Sequence, residues 1–241
     1  MSELPTGESP SRADAAPPWC AGCGHYGGLA ALSEVRTASN VAEEMWSFVS
    51  GPGCAGRLPE GLRGYRLEVP SGSALAAAAG LRWARPELTV VAVTGDSDGF
   101  GAGVAGLAAV APTRPKLLWI VLDNELGAAD GSRRRSARAA RGAALAMAAG
   151  VSFVARGLAS DLAGSSALLK QGLERPGISL VMLASGCVAM HRPDADRELR
   201  SRAQAIPREH RTTDAAAASA LLADPAHLWT GVLYADDRTD S

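Results

Sequence analysis

The sequence predicts an α/β protein, a central parallel sheet covered by helices on both faces. Three observations carry that prediction. Val90–Val93 and Leu117–Leu122 are apolar runs of strand length, rich in Val, Leu and Ile. The segment of about twenty mostly small residues between them suffices for the helical crossover that parallel neighbours need. Each run then ends abruptly in a polar group, Gly95-Asp96-Ser97-Asp98 after the first and Asp123-Asn124-Glu125 after the second. Such tips lie at the carboxyl ends of neighbouring strands, where open α/β sheets hold their ligands. Asp96 and Asn124 are oxygen donors at one edge. With a backbone carbonyl they make half an octahedral shell for Mg2+, leaving the other positions to phosphate oxygens. This is the pattern of a diphosphate-binding device.

The bounds agree. A chain of 241 residues can bury a full core and reads as one domain with a tail. Its net charge of −1 carries no signature of nucleic-acid or membrane binding, and no apolar run approaches a membrane span. MSELPTGESPSRADAAPP lacks the basic and apolar segments of a secretory signal, so a cytoplasmic setting is expected. Residues 1–17 are expected to be a flexible leader, 18–192 the α/β domain, and 193–241 a C-terminal extension packing on that domain or on a partner.

In chain order, His25–Ser33 is a short helix and Met45–Val49 a strand ending in the loop Ser50-Gly51-Pro52-Gly53-Cys54. Residues 56–70 read as irregular. Ser73–Ala84 is a helix of strong formers with Pro86 just past its end. After the β-α-β core come the loop Gly127–Ser132, an alanine-rich helix Ser136–Ala149 and a strand Val151–Ala155. A helix over 160–174 is closed by Pro176-Gly177, and Ser179–Leu183 is a buried strand ending at Gly186-Cys187. Beyond Arg192 the chain reads as polar until Leu228–Tyr234. Trp46, Trp83 and Trp119 are expected in the core. Arg133–Arg141 reads as the solvated start of a helix, with a phosphate clamp or a dock for an acidic partner as its functional alternatives.

The four cysteines, Cys20, Cys23, Cys54 and Cys187, need their own account. In a reducing compartment a C-x-x-C pair points to metal first and to catalytic redox second. A second C-x-x-C knuckle, usual in zinc ribbons, is missing; one pair plus two single thiols suits a [4Fe-4S] cluster, with zinc the alternative. His25 reads as a structural hydrogen-bonder and Trp19 as a shield beside the first thiol.

Taken together, these motifs resemble the β subunit of 2-oxoacid:ferredoxin oxidoreductases, the thiamine-diphosphate half of the pyruvate:ferredoxin oxidoreductase group. Trp19-Cys20-Ala21-Gly22-Cys23-Gly24-His25 is similar to the family's W-C-x-G-C-G-H opening, and Gly51-Pro52-Gly53-Cys54-Ala55-Gly56-Arg57 resembles its cysteine loop. Gly95-Asp96-Ser97-Asp98 corresponds to G-D-G-D, Asp123-Asn124-Glu125-Leu126 to the second half of the thiamine motif, and Cys187 to the fourth ligand. The tail from Pro207-Arg208-Glu209-His210 to Thr230-Gly231-Val232-Leu233-Tyr234 follows the family's close, so the likeness covers about residues 18–235.

The resemblance implies a thiamine-diphosphate-binding fold. It implies Mg2+ held by Asp96, Asn124 and the carbonyl of Leu126, with Gly72, Gly95, Ser97 and Gly131 beside the diphosphate. It implies a [4Fe-4S] cluster on the four cysteines and Arg57 facing coenzyme A. The activity implied is oxidative decarboxylation of a 2-oxoacid, with electrons passed through the cluster to ferredoxin and the acyl group to coenzyme A or another acceptor. The carboxylate that activates the cofactor comes, by the same resemblance, from a partner subunit of the α/γ type, so no catalytic acid or base is assigned to this chain.

Three departures from the family pattern favour the alternative of a catalytically retired paralogue that keeps the cluster and the partner interface. H-G-R-A reads Ser71-Gly72-Ser73-Ala74. The third residue of G-D-G is Ser97, tolerable if its φ stays negative. Asp130 stands where a Thr hydroxyl bonds the diphosphate, and it would repel that group unless a cation or Arg133, Arg134 and Arg135 compensate.

Overall fold

A computed structural model describes residues 17–124, 126–127, 132–135, 138–190 and 194–236. The strands are β1 (Trp46–Ser50), β2 (Tyr65–Glu68), β3 (Thr89–Gly95), β4 (Leu117–Asp123), β5 (Leu126–Gly127), β6 (Ser132–Arg135), β7 (Phe153–Leu158), β8 (Ile178–Ala184), β9 (Ala203–Ala205) and β10 (Leu228–Ala235). The helices are α1 (His25–Ala38), α2 (Ala74–Ala84), α3 (Val104–Val110), α4 (Arg138–Ala149), α5 (Leu162–Glu174), α6 (Ala195–Arg202) and α7 (Ala215–Ala223). Eight strands form one sheet in the order β2-β1-β3-β4-β8-β7-β10-β9, and β5 and β6 form a separate antiparallel ribbon. Within the main sheet only β10 against β7 is antiparallel.

The layers follow from the two-residue period of the strands. On β4, Leu117, Trp119 and Val121 point to one face and pack with residues of α2, α3, α4 and α7. Leu118, Ile120 and Leu122 point to the other and pack with α1 and α5. Covered on both faces, β4 is buried throughout, which explains why it reads as an unbroken apolar run. The one polar atom Trp119 brings inside is satisfied, its Nε1 donating to Thr94 Oγ1 at 2.9 Å. The predicted parallel sheet with helices on both faces is therefore the observed architecture.

Several local expectations need correction. Residues 56–70 are not irregular: a 3-10 turn spans Ala55–Gly61 and β2 adds an edge strand. Every residue of β2 is exposed, so it lacks the burial alternation that marks a strand. Helix α1 runs on to Ala38 because its buried stripe continues through Val35. Arg133–Arg135 do not begin a helix; they pair with the segment after β4 in the β5–β6 ribbon, and α4 begins at Arg138. The polar-looking stretch beyond residue 192 contains α6, β9 and α7, with α7 capped by the Asp214 carboxylate, which accepts from the N–H groups of Ala216 and Ala217. Trp46 and Trp119 are core residues, but Trp83 is 56% exposed, on the last turn of α2 beyond the buried stripe that ends at Ala79.

Candidate functional site

The carboxyl ends of β1, β3, β4 and β8 stand side by side, and each runs into one of the motifs. Cys54 follows β1 through Gly51-Pro52-Gly53, and Cys187 follows β8 through Ser185-Gly186. Cys20 and Cys23 sit just ahead of α1. Two long-range hydrogen bonds fasten these three loops together. Gly24 N donates to Gly186 O at 3.0 Å, and Trp19 Nε1 donates to Cys54 O at 2.8 Å. The first contact requires glycine, since a Cβ on Gly24 would lie 2.6 Å from Gly186 N.

Above the loops, His25 is buried and shares a 2.9 Å hydrogen bond with Ser185 Oγ through Nδ1. Its ring lies edge-on to Trp19, centroids 5.6 Å apart. Burial pushes the imidazole down to about 4, so His25 is neutral at pH 7. All four thiols are free; Cys20 and Cys54 are exposed, Cys23 and Cys187 half-buried. Burial pushes the Cys23 thiol up, the His25 backbone N–H opposes that, and Cys187, Cys54 and Cys20 each push it further. Four thiols from three loops thus share one electrostatic neighbourhood. Among the described residues, however, no three His, Cys, Asp or Glu side chains are grouped to hold a metal ion as they stand.

Beside them lies the acidic edge. β3 and β4 pair with Gly95 opposite Leu122, which sets Asp96 and Asn124 at adjoining strand ends. Asp96 is buried, and burial pushes its carboxyl up, against the opposing pull of the Ser97 backbone N–H and the Arg138 guanidinium. Its Oδ2 has no hydrogen-bond partner among the described residues. A buried carboxylate oxygen left bare among the described residues, at the strand end adjoining that of Asn124, fits a hard, oxygen-seeking cation.

Ser97 adopts φ −68° and ψ −38°, so the departure from glycine is accommodated. Its Oγ accepts a hydrogen bond from Arg138, the first residue of α4. Asp98 Oδ1 accepts from Ser71 Oγ at 2.8 Å and from Gly72 N at 2.7 Å. Gly72 has φ +80°, a left-handed turn in which a Cβ would meet Ala102 O at 2.5 Å. Gly95 needs neither freedom: a Cβ there would touch only Ala55 Cβ, at 3.6 Å. Arg57 is exposed on the 3-10 turn after Cys54. Leu126 opens the β5–β6 ribbon. Asp130 and Gly131 lie outside the described residues, as do the side chains of Arg133, Arg134 and Arg135.

Residues 62–183 match the family described as thiamine pyrophosphate enzyme, C-terminal TPP binding domain. A 2-oxoglutarate synthase subunit KorB of Archaeoglobus fulgidus is 30% identical over 186 residues, covering 70% of this chain and 69% of that protein. The chain belongs to the 2-oxoacid:ferredoxin oxidoreductase β-subunit family. A 2-oxoacid:ferredoxin oxidoreductase subunit beta of a Sulfolobus species is 29% identical over 187 residues, 70% of this chain; the chain spans 61% of that relative's length. A solved 2-oxoglutarate:ferredoxin oxidoreductase from Magnetococcus marinus, with 2-oxoglutarate, coenzyme A and succinyl-CoA bound, shares the fold. Its TM-score is 0.83 at 24% identity, over 94% of this chain and 84% of that one.

In this β-subunit family member the support around the motifs is not visible in the motifs themselves. The sequence pointed to Asp96, Asn124 and the thiols. It did not point to Arg138 as the partner of Ser97, to Asp98 as the acceptor for the Ser71-Gly72 turn, or to Ser185 as the partner of His25. The second Asp of Gly95-Asp96-Ser97-Asp98 was the one available signal, because a second buried carboxylate so close to the first needs donors of its own.

Proposed function

We propose that the chain is the β subunit of a 2-oxoacid:ferredoxin oxidoreductase, acting with an α/γ-type partner subunit in the oxidative decarboxylation of a 2-oxoacid. The observation that carries this reading is the buried Oδ2 of Asp96, bare among the described residues, at the strand end adjoining that of Asn124 and on the same sheet edge as four free thiols. Asp96, Asn124 and the Leu126 carbonyl would hold Mg2+. Gly72, Gly95, Ser97 and Gly131 would lie along the diphosphate, and Cys20, Cys23, Cys54 and Cys187 would hold a [4Fe-4S] cluster. When bound, thiamine diphosphate supplies an electron sink for decarboxylation and the cluster supplies one-electron transfer toward ferredoxin.

The chain's own residues orient and shelter. Asp98 fixes the left-handed turn at Gly72. Arg138 ties the Asp96-Ser97 tip to the start of α4. Trp19 and neutral His25 pack beside the thiol loops, where an apolar roof limits access of water and oxidants to the sulfurs. Arg57, exposed three residues after Cys54, is the cation we assign to coenzyme A, which is bound in the Magnetococcus relative. The cytoplasm, where thiols stay reduced, is the setting this site needs.

The test is anaerobic purification of the chain with its genomic neighbour, followed by a 2-oxoacid panel with ferredoxin as acceptor. The reading expects about four irons per chain and ferredoxin reduction that depends on a 2-oxoacid. A colourless zinc protein would overturn the cluster assignment. Full iron with no 2-oxoacid-dependent reduction would favour the retired paralogue.

A further inference from the structure

β2 closes one side of the main sheet; among the described residues no strand pairs with its outer side, and all of its residues are exposed. One bond fixes the phase of its backbone: Val69 N donates to Ser50 O, just past the β1–β2 ladder, at 2.9 Å. Backbone N–H and C=O groups alternate from side to side along a strand. Those of residues 65, 67 and 69 therefore face β1, and those of Arg66 and Glu68 face outward. The next outward position is Pro70, which has no N–H to donate, so the open edge ends there.

The side chains add a second pattern. Leu67 lies opposite Val49, whose cluster packs with α2, so Leu67 and Tyr65 share that face; they are 49% and 52% exposed. Arg66 and Glu68 share the other face, and neither makes an ion pair among the described residues. An open edge is a template for another strand. A second copy of β2 related by a two-fold axis arrives antiparallel, and its outward groups must meet outward groups. One such register sets Arg66 against Arg66, and another sets Glu68 against Glu68. The register between them sets Arg66 against Glu68, twice over. Like charges directly opposite are destabilising and opposite charges stabilising, so the side chains reject the first two and favour the third.

We propose that β2 is a homotypic docking edge, which pairs antiparallel with β2 of a second copy of this chain, Leu67 on the two-fold axis and Arg66 opposite Glu68 of the other copy. In that register Arg66 and Glu68 exchange backbone hydrogen bonds across the contact. Leu67 meets Leu67 in a close, non-hydrogen-bonded pair, and Tyr65 lies opposite Val69 of the other copy. The two sheets become one, and the contact closes as a dimer because each copy uses the same edge. The inference stands on this edge alone and is independent of the cofactor reading.

The test uses the full chain purified with its partner subunit, under anaerobic conditions. Leu67→Cys places a thiol on the axis, where opposed Cα atoms stand about 4.5 Å apart, within disulfide reach. Diamide should join two copies of this chain through residue 67, read on a non-reducing gel and by peptide mass spectrometry. Glu68→Cys, which faces Arg66 of the other copy, should cross-link to itself far less. In sedimentation over a concentration series, Arg66→Glu should weaken self-association about tenfold or more, since it turns both charge pairs repulsive. Arg66→Glu combined with Glu68→Arg should restore it. These side chains are exposed, so the fold is expected to tolerate each change. Cross-linking through residue 67 no greater than in the wild type would overturn the proposal, as would a double swap that fails to restore association. A Leu67→Cys thiol shielded from maleimide without forming the cross-link would overturn it too, because another subunit would then cover the edge.

Discussion

Replacing Asp96 by Asn separates what the carboxylate costs the fold from what it contributes to a cation site. In the free chain Asp96 is buried, is bonded by the Ser97 N–H, and leaves Oδ2 bare. Asparagine keeps an acceptor for Ser97 and removes the charge; its amide still lacks a partner. Relief of a buried, half-satisfied charge, less the cost of the leftover amide, should stabilise the metal-free chain by about 1–2 kcal/mol. In a chain of this size that is about 3–6 °C in Tm.

The sign with pH follows from the raised carboxyl. Below the unfolded-state value, near 3.8, Asp96 is protonated in both states and the penalty is absent. It grows as pH rises through that value and is complete above the folded one. The advantage of Asp96→Asn should therefore be present at pH 7 in chelator and fade toward pH 4. Thermal unfolding by circular dichroism reads this. Adding Mg2+ with thiamine diphosphate should raise the Tm of the wild type and leave the variant unmoved. A variant less stable than wild type at pH 7 without metal, or equally protected by Mg2+ and cofactor, would refute the reasoning.

Three further substitutions probe the neighbouring contacts. Gly24→Ala should force the first cysteine pair away from the Cys187 loop, since its Cβ meets Gly186 N at 2.6 Å; iron content should fall, and overpacking should cost about 1–3 kcal/mol. Trp19→Phe removes the bond to Cys54 O, so we expect about 1 kcal/mol of lost stability and faster bleaching of the visible spectrum in air. Ser97→Ala removes the hydrogen bond from Arg138 to the tip beside Asp96 and should weaken Mg2+-dependent cofactor binding severalfold by calorimetry, with the Tm of the metal-free chain nearly unchanged. Unaltered iron, bleaching rate or affinity in the respective variant would count against the contact it tests.

The parts of the fold legible in the sequence are those buried on both faces. β3, β4 and β8 announce themselves as apolar runs because helices cover each side. β2 did not, because as an exposed edge strand it has no buried face to pattern. Helix α7 was hidden by its alanines, of which only Ala218 is buried, with Leu222 the other buried residue of the helix. Within the site, the donor atoms of Asp96, Asn124 and the four cysteines were visible as residue types at strand ends. Their scaffolding was not, since Gly24 with Gly186, Trp19 with Cys54 and Ser185 with His25 are contacts between distant segments. Ser71 is instructive: it looked like the loss of a functional His, and the fold gives its hydroxyl a role of its own, donating to Asp98.

We propose that the Asp96–Asn124 edge holds a diphosphate through Mg2+. The most direct test is anaerobic calorimetric titration of thiamine diphosphate into the chain co-purified with its partner, with and without Mg2+. Saturable binding that appears only with Mg2+ is the result predicted. No binding in a preparation that still carries its iron would contradict it.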